Sequence, residues 1–390
     1  MNKKLNVVFI GSFLYPHGFA ATKRKQQFLD YIIQQGDCAR VILTFKRSKG
    51  HEINDIKGIH KGIPYEALGP NVKPDILFPV NFLVMILKTL ISLLVYKKKE
   101  NNIIVAFGIN IDTLLPLFFA KMIGYKIIFD IVEDFSTIKN SKIFKEKLKL
   151  FFLRTFPKIF RKILASGVTV ISKYLYEKHT DFKIENPLVL VPISAENLYF
   201  QFKKKAKKSY HLLYSGTYGD KEGLPTLIAA FVNFSRFTDK TKLILTGNCP
   251  VDIIELLKTK LGSLDRVELT GRLSDDAYYQ ALKDADILLM TRTNSAFANA
   301  GFPYKLGEYL ATMNPVICTD TSDVSLYLKH MKSAMIVPPD NVESLYQAMC
   351  HLFENPDLSK RLGKNGWKVC HTYFNPEINS QKFYNLLQAA

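Results

Sequence analysis

A chain of 390 residues with 53 Lys+Arg against 35 Asp+Glu has a formal charge of +18, and 47% of its residues are hydrophobic. That length exceeds one ordinary core and that apolar content fills two, which excludes a single small domain and bulk disorder. The five cysteines (Cys38, Cys249, Cys318, Cys350 and Cys370) form no CxxC pair, which argues against a disulfide framework or zinc site and suits a reducing compartment.

In chain order, "MNKKLNVVFIG" has too short an apolar run for a signal peptide and passes directly into a glycine turn. It begins a series of Val/Ile/Leu-rich runs at residues 6–11, 40–45, 103–108, 126–131, 168–172 and 188–193. A second series follows at 211–216, 242–247, 266–271, 286–291, 315–319 and 334–338. Such continuous runs are strands covered on both faces, and their alternation with helical patterns predicts parallel sheets. The expected fold class is α/β, with two doubly wound Rossmann-like domains facing across a cleft. The expected boundaries are 1–195 for the first domain, 196–209 for a Lys-rich linker containing "ENLYFQ", and 210–372 for the second domain. A helix at 373–390 is expected to pack back toward the first domain. Gly11, Gly216, Gly247 and Gly271 each follow an apolar run directly, at the strand ends where phosphates approach backbone amides in such sheets.

Residues 9–25, "FIGSFLYPHGFAATKRK", read as a strand, a loop with Gly11 and Gly18, and a helix starting near residues 20–22 with Lys23 and Arg24. The loop is a phosphate cradle or a plain glycine turn before a solvated basic helix. His17 within it is a candidate ligand contact or an ordinary surface histidine. Residues 78–96 nearly span a bilayer, but Lys88 interrupts them and Pro79 and Asn81 lie at their start. A buried or interfacial helix is expected there. "FDIVEDF" (129–135) ends a strand with Asp130, Glu133 and Asp134, acids placed to orient ligand hydroxyls or to cap the next helix. Residues 139–167 interleave Lys and Arg with Phe, Leu and Ile, a pattern that rests on anionic bilayers or forms a solvated face.

In the second half, residues 212–231 read as strand, glycine-rich turn and helix. Gly216, Gly219 and Gly223 leave room for a phosphate, and Lys221 projects as a cation. The GxxxxGK[ST] spacing is missing, so ATP hydrolysis is not expected. "DAD" (284–286) has the form of a metal-binding pair, but its place at a helix-to-strand junction argues against metal. In "GFPYKLGEYLATMNPVICTD" (301–320), Pro303 fits the first helical position, leaving the amides of Tyr304, Lys305 and Leu306 to meet an anion. Leu306, Leu310 and Met313 form the stripe that packs on the sheet, and Glu308 lies off it. Glu308 either serves a ligand or complements the helix dipole.

The run Gly216–Gly223, then "TGNCP", "RVELTGRLSDDAYYQALKDADILLMT" and "GFPYKLGEYLATMNPVI", resembles family-4 retaining glycosyltransferases of the GT-B fold (glycosyl transferases group 1) in order and spacing. The resemblance covers most of residues 210–372. It is looser in the first half, where it rests on "GSFLYPHGFAATKR", "FDIVEDF" and "LVLVPIS". It implies transfer of a sugar from a UDP- or GDP-sugar to an acceptor hydroxyl with retention, without metal or other cofactor. Glu308 resembles the second glutamate of the family's E-x7-E element, which holds the donor ribose. Lys221 resembles the loop lysine at the diphosphate, with a register uncertain by one residue because Glu222 precedes Gly223.

For such a transfer the expected catalytic group is Lys221, Lys305 and Glu308. The residues expected at the donor are Gly18, Arg24, Gly216, Thr217, Gly271, Arg272, Asn299, Phe302, Pro303 and Tyr304, and those expected at the acceptor are His17, Glu133 and Asp134. Thr217 stands where many members have arginine. Ala300 stands in place of the first glutamate, with Asn299 beside it as a neutral substitute, so the transferred sugar is not read from the usual rule. The partners implied are a glycan or lipid-linked acceptor and the anionic inner face of the plasma membrane, with no nucleic acid. The setting is cytoplasmic and peripheral, in bacterial surface polysaccharide or lipopolysaccharide assembly. A nucleotide-sugar epimerase of similar fold and a non-catalytic nucleotide- or glycan-binding relative are the alternatives.

Overall fold

The computed structural model describes residues 4–18, 20–45, 48–49, 52–53, 56–70, 77–134, 159–180, 186–196 and 203–390. Most of the basic segment 139–167, Phe135 and most of "ENLYFQ" lie outside these residues. The chain forms two compact units, Met1–Val191 with Glu377–Ala390, and Pro192–Pro376. The division thus falls between Val191 and Pro192, slightly before the expected 195.

The first unit contains β1 (Asn6–Gly11), β2 (Cys38–Leu43), β3 (Ser48–Lys49), β4 (Glu52–Ile53), β5 (Lys57–His60), β6 (Ile63–Ala67), β7 (Asn102–Ala106), β8 (Lys126–Ile131), β9 (Gly167–Val170) and β10 (Leu188–Leu190). Eight of them form one sheet in the order β10-β9-β8-β7-β1-β2-β6-β5, parallel except where β5 runs against β6. β1, β7 and β9 are buried along their whole length, as expected of strands covered on both faces. The antiparallel pair β5–β6 escapes sequence reading. "KGIH" and "IPYEA" are short, broken by Gly58 and Pro64, and alternate in burial as a sheet edge does.

The helix Pro376–Ala389 belongs to this first unit. Its Phe383 stacks on Phe28 at 4.1 Å, and its Tyr384 hydroxyl donates to Asp37 at 2.6 Å. The helix Phe78–Tyr96 buries Met85, Ile86, Thr89 and Leu93 and leaves its other side exposed. It is therefore half core helix and half surface.

The second unit contains β11 (Tyr210–Ser215), β12 (Thr241–Thr246), β13 (Val267–Gly271), β14 (Ile287–Met290), β15 (Val316–Thr319) and β16 (Met335–Val337). Every second-half run named above is one of these strands, paired in the parallel order β13-β12-β11-β14-β15-β16. The strand order reverses between β11 and β14. In open parallel sheets that switch point receives ligands at the carboxyl ends.

The described part of the expected linker, residues 203–209, is held on this unit. Lys205 donates its amide to Asp284 at 2.7 Å, and Lys204 and Lys207 pair with Asp286 at 3.1 and 2.6 Å. Asp286 also accepts the His211 amide at 2.8 Å, so the "DAD" carboxylates serve as anchors for backbone and lysines.

Candidate active site

At the switch point a short loop follows β11 and the helix Tyr304–Ala311 packs beside it. Pro303, at φ −73° and ψ 109°, is extended and caps the helix, one position earlier than expected. The Leu306 amide already donates to the Pro303 carbonyl at 3.0 Å, so it does not meet an anion as the sequence predicted. Leu306 and Leu310 are buried as expected. Met313 lies past the helix end with φ 62°.

The Lys305 side chain turns toward the loop. Its Nζ is 2.6 Å from Glu222 Oε2 and 4.1 Å from the centre of the Tyr214 ring. It also lies against Gly216, whose φ is +132° and where an added Cβ would stand 2.8 Å from that nitrogen. Arg292 Nε is 3.7 Å from the other oxygen of Glu222, and Arg292 Nη1 donates to the Gly301 carbonyl at 3.1 Å. Glu222 is thus the buried centre of a cation cluster. Burial pushes its carboxyl up, but Lys305 and then Arg292 pull it further down, so it titrates below the ordinary glutamate value. Burial lowers Lys305 from the ordinary lysine value, and Glu222 opposes that shift.

The loop geometry explains why Glu222, rather than Lys221, points inward. Residues Asp220–Glu222 form a single 3-10 turn, and Gly223 takes a left-handed conformation at φ 66°. A Cβ on Gly223 would come within 1.9 Å of the Thr291 carbonyl oxygen, so only glycine fits. The Thr291 hydroxyl donates to the Glu222 carbonyl at 3.0 Å, and the Thr293 amide donates to the Lys221 carbonyl at 3.0 Å. With the backbone stitched to the end of β14, the Lys221 side chain extends over the Phe297 ring at 4.5 Å. Lys305, rather than Lys221, lies against the Gly216 backbone.

Glu308, the fifth residue of its helix, is buried. Its Oε2 accepts the Tyr278 hydroxyl at 2.9 Å, and that hydroxyl is 3.1 Å from Ser215 Oγ. Ser215 in turn bonds the Tyr309 hydroxyl through Oγ at 3.0 Å and its amide at 2.8 Å. Burial, reinforced by Glu308, raises the Tyr278 phenol well above its ordinary value, so it donates at neutral pH. A dipole-complementing acid belongs in the exposed first turn of a helix. Glu308 is instead a buried carboxylate whose Oε2 is tied through Tyr278 to the end of β11.

Residues 196–369 match the family model of glycosyl transferases group 1. Residues 196–369 thus resemble a glycosyltransferase domain. Over 156 residues the chain is 21% identical to an α-D-kanosaminyltransferase of Streptomyces kanamyceticus, covering 40% of this chain and 39% of that one. The match thus spans about two fifths of that relative's length. A sucrose-phosphate synthase of Thermosynechococcus elongatus superposes with a TM-score of 0.73 at 17% identity, covering 99% of each chain. The Anabaena protein HepE, solved in complex with UDP-glucose, superposes at 0.72 and 15% identity over 98% of this chain and 99% of that one. The fold is GT-B.

The remaining expected residues of the glycosyltransferase domain separate into surface and packing groups. Thr217 is exposed, and its carbonyl accepts the Tyr214 hydroxyl at 2.5 Å. Gly271 ends β13 and accepts the Gly247 amide at 2.8 Å, with Arg272 exposed just beyond it. Tyr304 is half-buried at the start of the helix.

Asn299 is corrected from sugar contact to loop staple. Its amide group donates to Asn294 Oδ1 at 2.9 Å and the Ser295 carbonyl at 3.1 Å, and its oxygen accepts the Ser322 amide at 2.8 Å. Phe302 is buried between Tyr327 and Phe374, so its side chain is packing. Ala300 is fully buried.

Arg24, in the first unit, is also corrected. It is buried and forms a two-pronged pair with Asp130, Nε to Oδ2 and Nη2 to Oδ1, both at 2.9 Å. Its Nη2 donates further to the Val191 carbonyl at 3.0 Å. A guanidinium so committed is a structural tie rather than a diphosphate clamp. Gly18 packs on Thr22, whose hydroxyl donates to the Leu14 carbonyl at 2.8 Å. His17 is exposed with its ring 6.0 Å from His60. Asp134 pairs with Lys178, and Glu133 is half-buried beside it.

Proposed function

We propose that the chain is a retaining glycosyltransferase that moves a sugar from a UDP- or GDP-sugar to a hydroxyl of a glycan or lipid-linked acceptor. The observation that carries this reading is Lys305, held by Glu222 against the Gly216 backbone at the amide end of a helix whose next turn presents buried Glu308. Breaking the anomeric bond puts negative charge on the departing diphosphate, and cations and amides placed beforehand lower that barrier most. In this reading Lys305 receives the diphosphate and Glu308 holds the ribose hydroxyls. HepE is solved with UDP-glucose, which favours UDP over GDP. Retention, with the leaving phosphate oxygen taking the acceptor proton, follows from the family-4 resemblance.

The site needs no metal in this mechanism, because its own cations meet the leaving charge. Transfer should therefore persist in excess EDTA with UDP-glucose as donor. An absolute requirement for added Mn²⁺ or Mg²⁺ would reject it. The setting proposed is the cytoplasmic face of an anionic membrane, in surface polysaccharide or lipopolysaccharide assembly.

Glu308→Ala tests the ribose assignment. Hydrogen bonds to a charged group contribute about 1.5–3 kcal/mol, so UDP should bind roughly ten- to a hundredfold more weakly by calorimetry. Glu308→Gln keeps an acceptor for Tyr278 and should recover part of that loss. UDP affinity unchanged in the alanine variant would remove Glu308 from the site. UDP release that depends on added acceptor separates transfer from epimerisation.

A further inference from the structure

We infer that the outward face of the helix Phe78–Tyr96, with the adjoining side of the helix Ile111–Met122, is the surface by which this protein docks on an anionic lipid bilayer. The inference deepens the peripheral-membrane part of the reading above and assigns it a place in the fold.

A core helix of a soluble protein is apolar on one side. This one is apolar on both. Met85, Ile86 and Leu93 are buried in the first unit, while Leu83, Leu87, Ile91 and Leu94 on the opposite side are 53–63% exposed. Their spacing of four, four and three residues makes them a single stripe. On the helix Ile111–Met122, which packs beside it, Ile111 and Met122 are 81% and 84% exposed. Soluble monomers seldom leave more than a few hundred Å² of contiguous apolar surface uncovered.

The helix is long and apolar enough to cross a bilayer by length and composition, with a mean hydropathy of 2.1. Its inner side nevertheless ties it to the first unit. The Tyr125 hydroxyl donates to the Leu93 carbonyl at 2.8 Å, Asn6 donates to the Tyr96 carbonyl at 2.9 Å, and the Tyr96 hydroxyl donates to Glu66 at 2.9 Å. A helix fastened in this way lies in the plane of an interface rather than across it.

Charge identifies the occupant. Exposed Lys88 stands within the plate, Lys97, Lys98 and Lys99 follow at the helix end with Glu100 beside them, Lys121 lies in the last turn of the second helix and donates to Ser166 at 3.2 Å, and exposed Lys126 follows that helix. Anionic headgroups neutralise such a rim while the lysine stems lie along the apolar surface. A second copy of the chain would meet this face with the same cations, Lys88 among them, inside an apolar interface. The plate therefore suits lipid better than itself.

The test is co-sedimentation of the full chain with phosphatidylcholine vesicles, with and without phosphatidylglycerol, at low and high salt. The wild type should pellet with phosphatidylglycerol vesicles and be released by salt. Leu87→Gln with Ile91→Gln should weaken partition about tenfold or more, since both side chains already face outward and no core contact is lost. Lys88→Glu with Lys99→Glu should abolish the preference for phosphatidylglycerol.

A wild type that stays in the supernatant overturns the proposal, as does undiminished binding by both variants. If the wild type is a dimer that the Leu87/Ile91 variant turns to monomer while vesicles remain unbound, the face is a self-association surface and the proposal fails. UDP affinity measured on the same samples keeps the two readings apart. Lost vesicle binding with intact UDP binding concerns the docking face, and the converse concerns the transferase site.

Discussion

Replacing Lys305 with methionine should abolish most transfer and destabilise the second unit in one step. The two losses have separate causes. Loss of one preplaced cation at a developing charge typically lowers turnover about 10²–10³-fold. Removing one partner of a buried ion pair costs about 3–5 kcal/mol, because the surviving charge stays out of water. Here the survivor is Glu222, and Arg292 at 3.7 Å is a poorer neighbour than the lost ammonium at 2.6 Å. A second replacement separates the two causes. In Lys305→Met combined with Glu222→Leu the stranded carboxylate is gone but buried Arg292 loses its counter-charge, so thermal stability should return in part while turnover does not. Melting curves and kcat for both variants decide the matter. A Lys305→Met enzyme with full turnover would show that the diphosphate is received elsewhere. A double variant no more stable than the single one would show that the stranded carboxylate is not the main cause of the loss.

Arg24→Met should produce the largest loss of stability in the first unit and leave UDP affinity unchanged. The guanidinium makes two 2.9 Å bonds to Asp130, and the Thr169 hydroxyl makes a third to that carboxylate at 2.7 Å. Without Arg24 the buried Asp130 loses its principal counter-charge, again about 3–5 kcal/mol. For a unit of this size that corresponds to roughly 6–20 °C in melting temperature. Burial raises the Asp130 carboxyl, but Arg24 and Thr169 outweigh it, so its folded value lies below the ordinary one. The pair's contribution is therefore complete above the ordinary aspartate range and is lost as pH falls through the depressed value, where the unfolded chain already holds the proton. The arginine variant should lose this acid-limb dependence. A variant that melts like the wild type but binds UDP weakly would restore Arg24 to the donor site.

How far the sequence could be read depended on the range of the cause. Runs such as "NVVFIG" are continuous because both faces of a central parallel strand are covered, and all twelve runs mark strands, including β10 and β13, which are only partly buried at their sheet edges. The edge pair β5–β6 lacks that covering and left no such trace. "YKLGE" correctly marked a helix carrying a cation and an acid, because both features are local. Which lysine occupies the place against Gly216 is not local. It depends on a 3-10 turn that sends Glu222 inward and Lys221 outward, so Glu222 read only as a register uncertainty. Arg24 misled for the same reason. Its partner lies 106 residues away, and a basic residue in the first turns of a helix after a glycine loop looks alike whether it meets a phosphate or a buried aspartate. Asn299 looked available because nothing nearby in sequence announces the Ser322 amide that occupies it.

The C-terminal helix has a consequence for biosynthesis. Phe383, Leu386 and Leu387 complete the packing around Phe9 and Phe28. The opening 191 residues therefore emerge from the ribosome with an unfinished interior, and it stays unfinished while every residue of the second unit is translated. Throughout that interval the nascent chain shows sticky surface that the finished molecule hides. Deleting the last turn or two should lower soluble yield through misfolding of the opposite end of the polypeptide, long before any question of turnover arises.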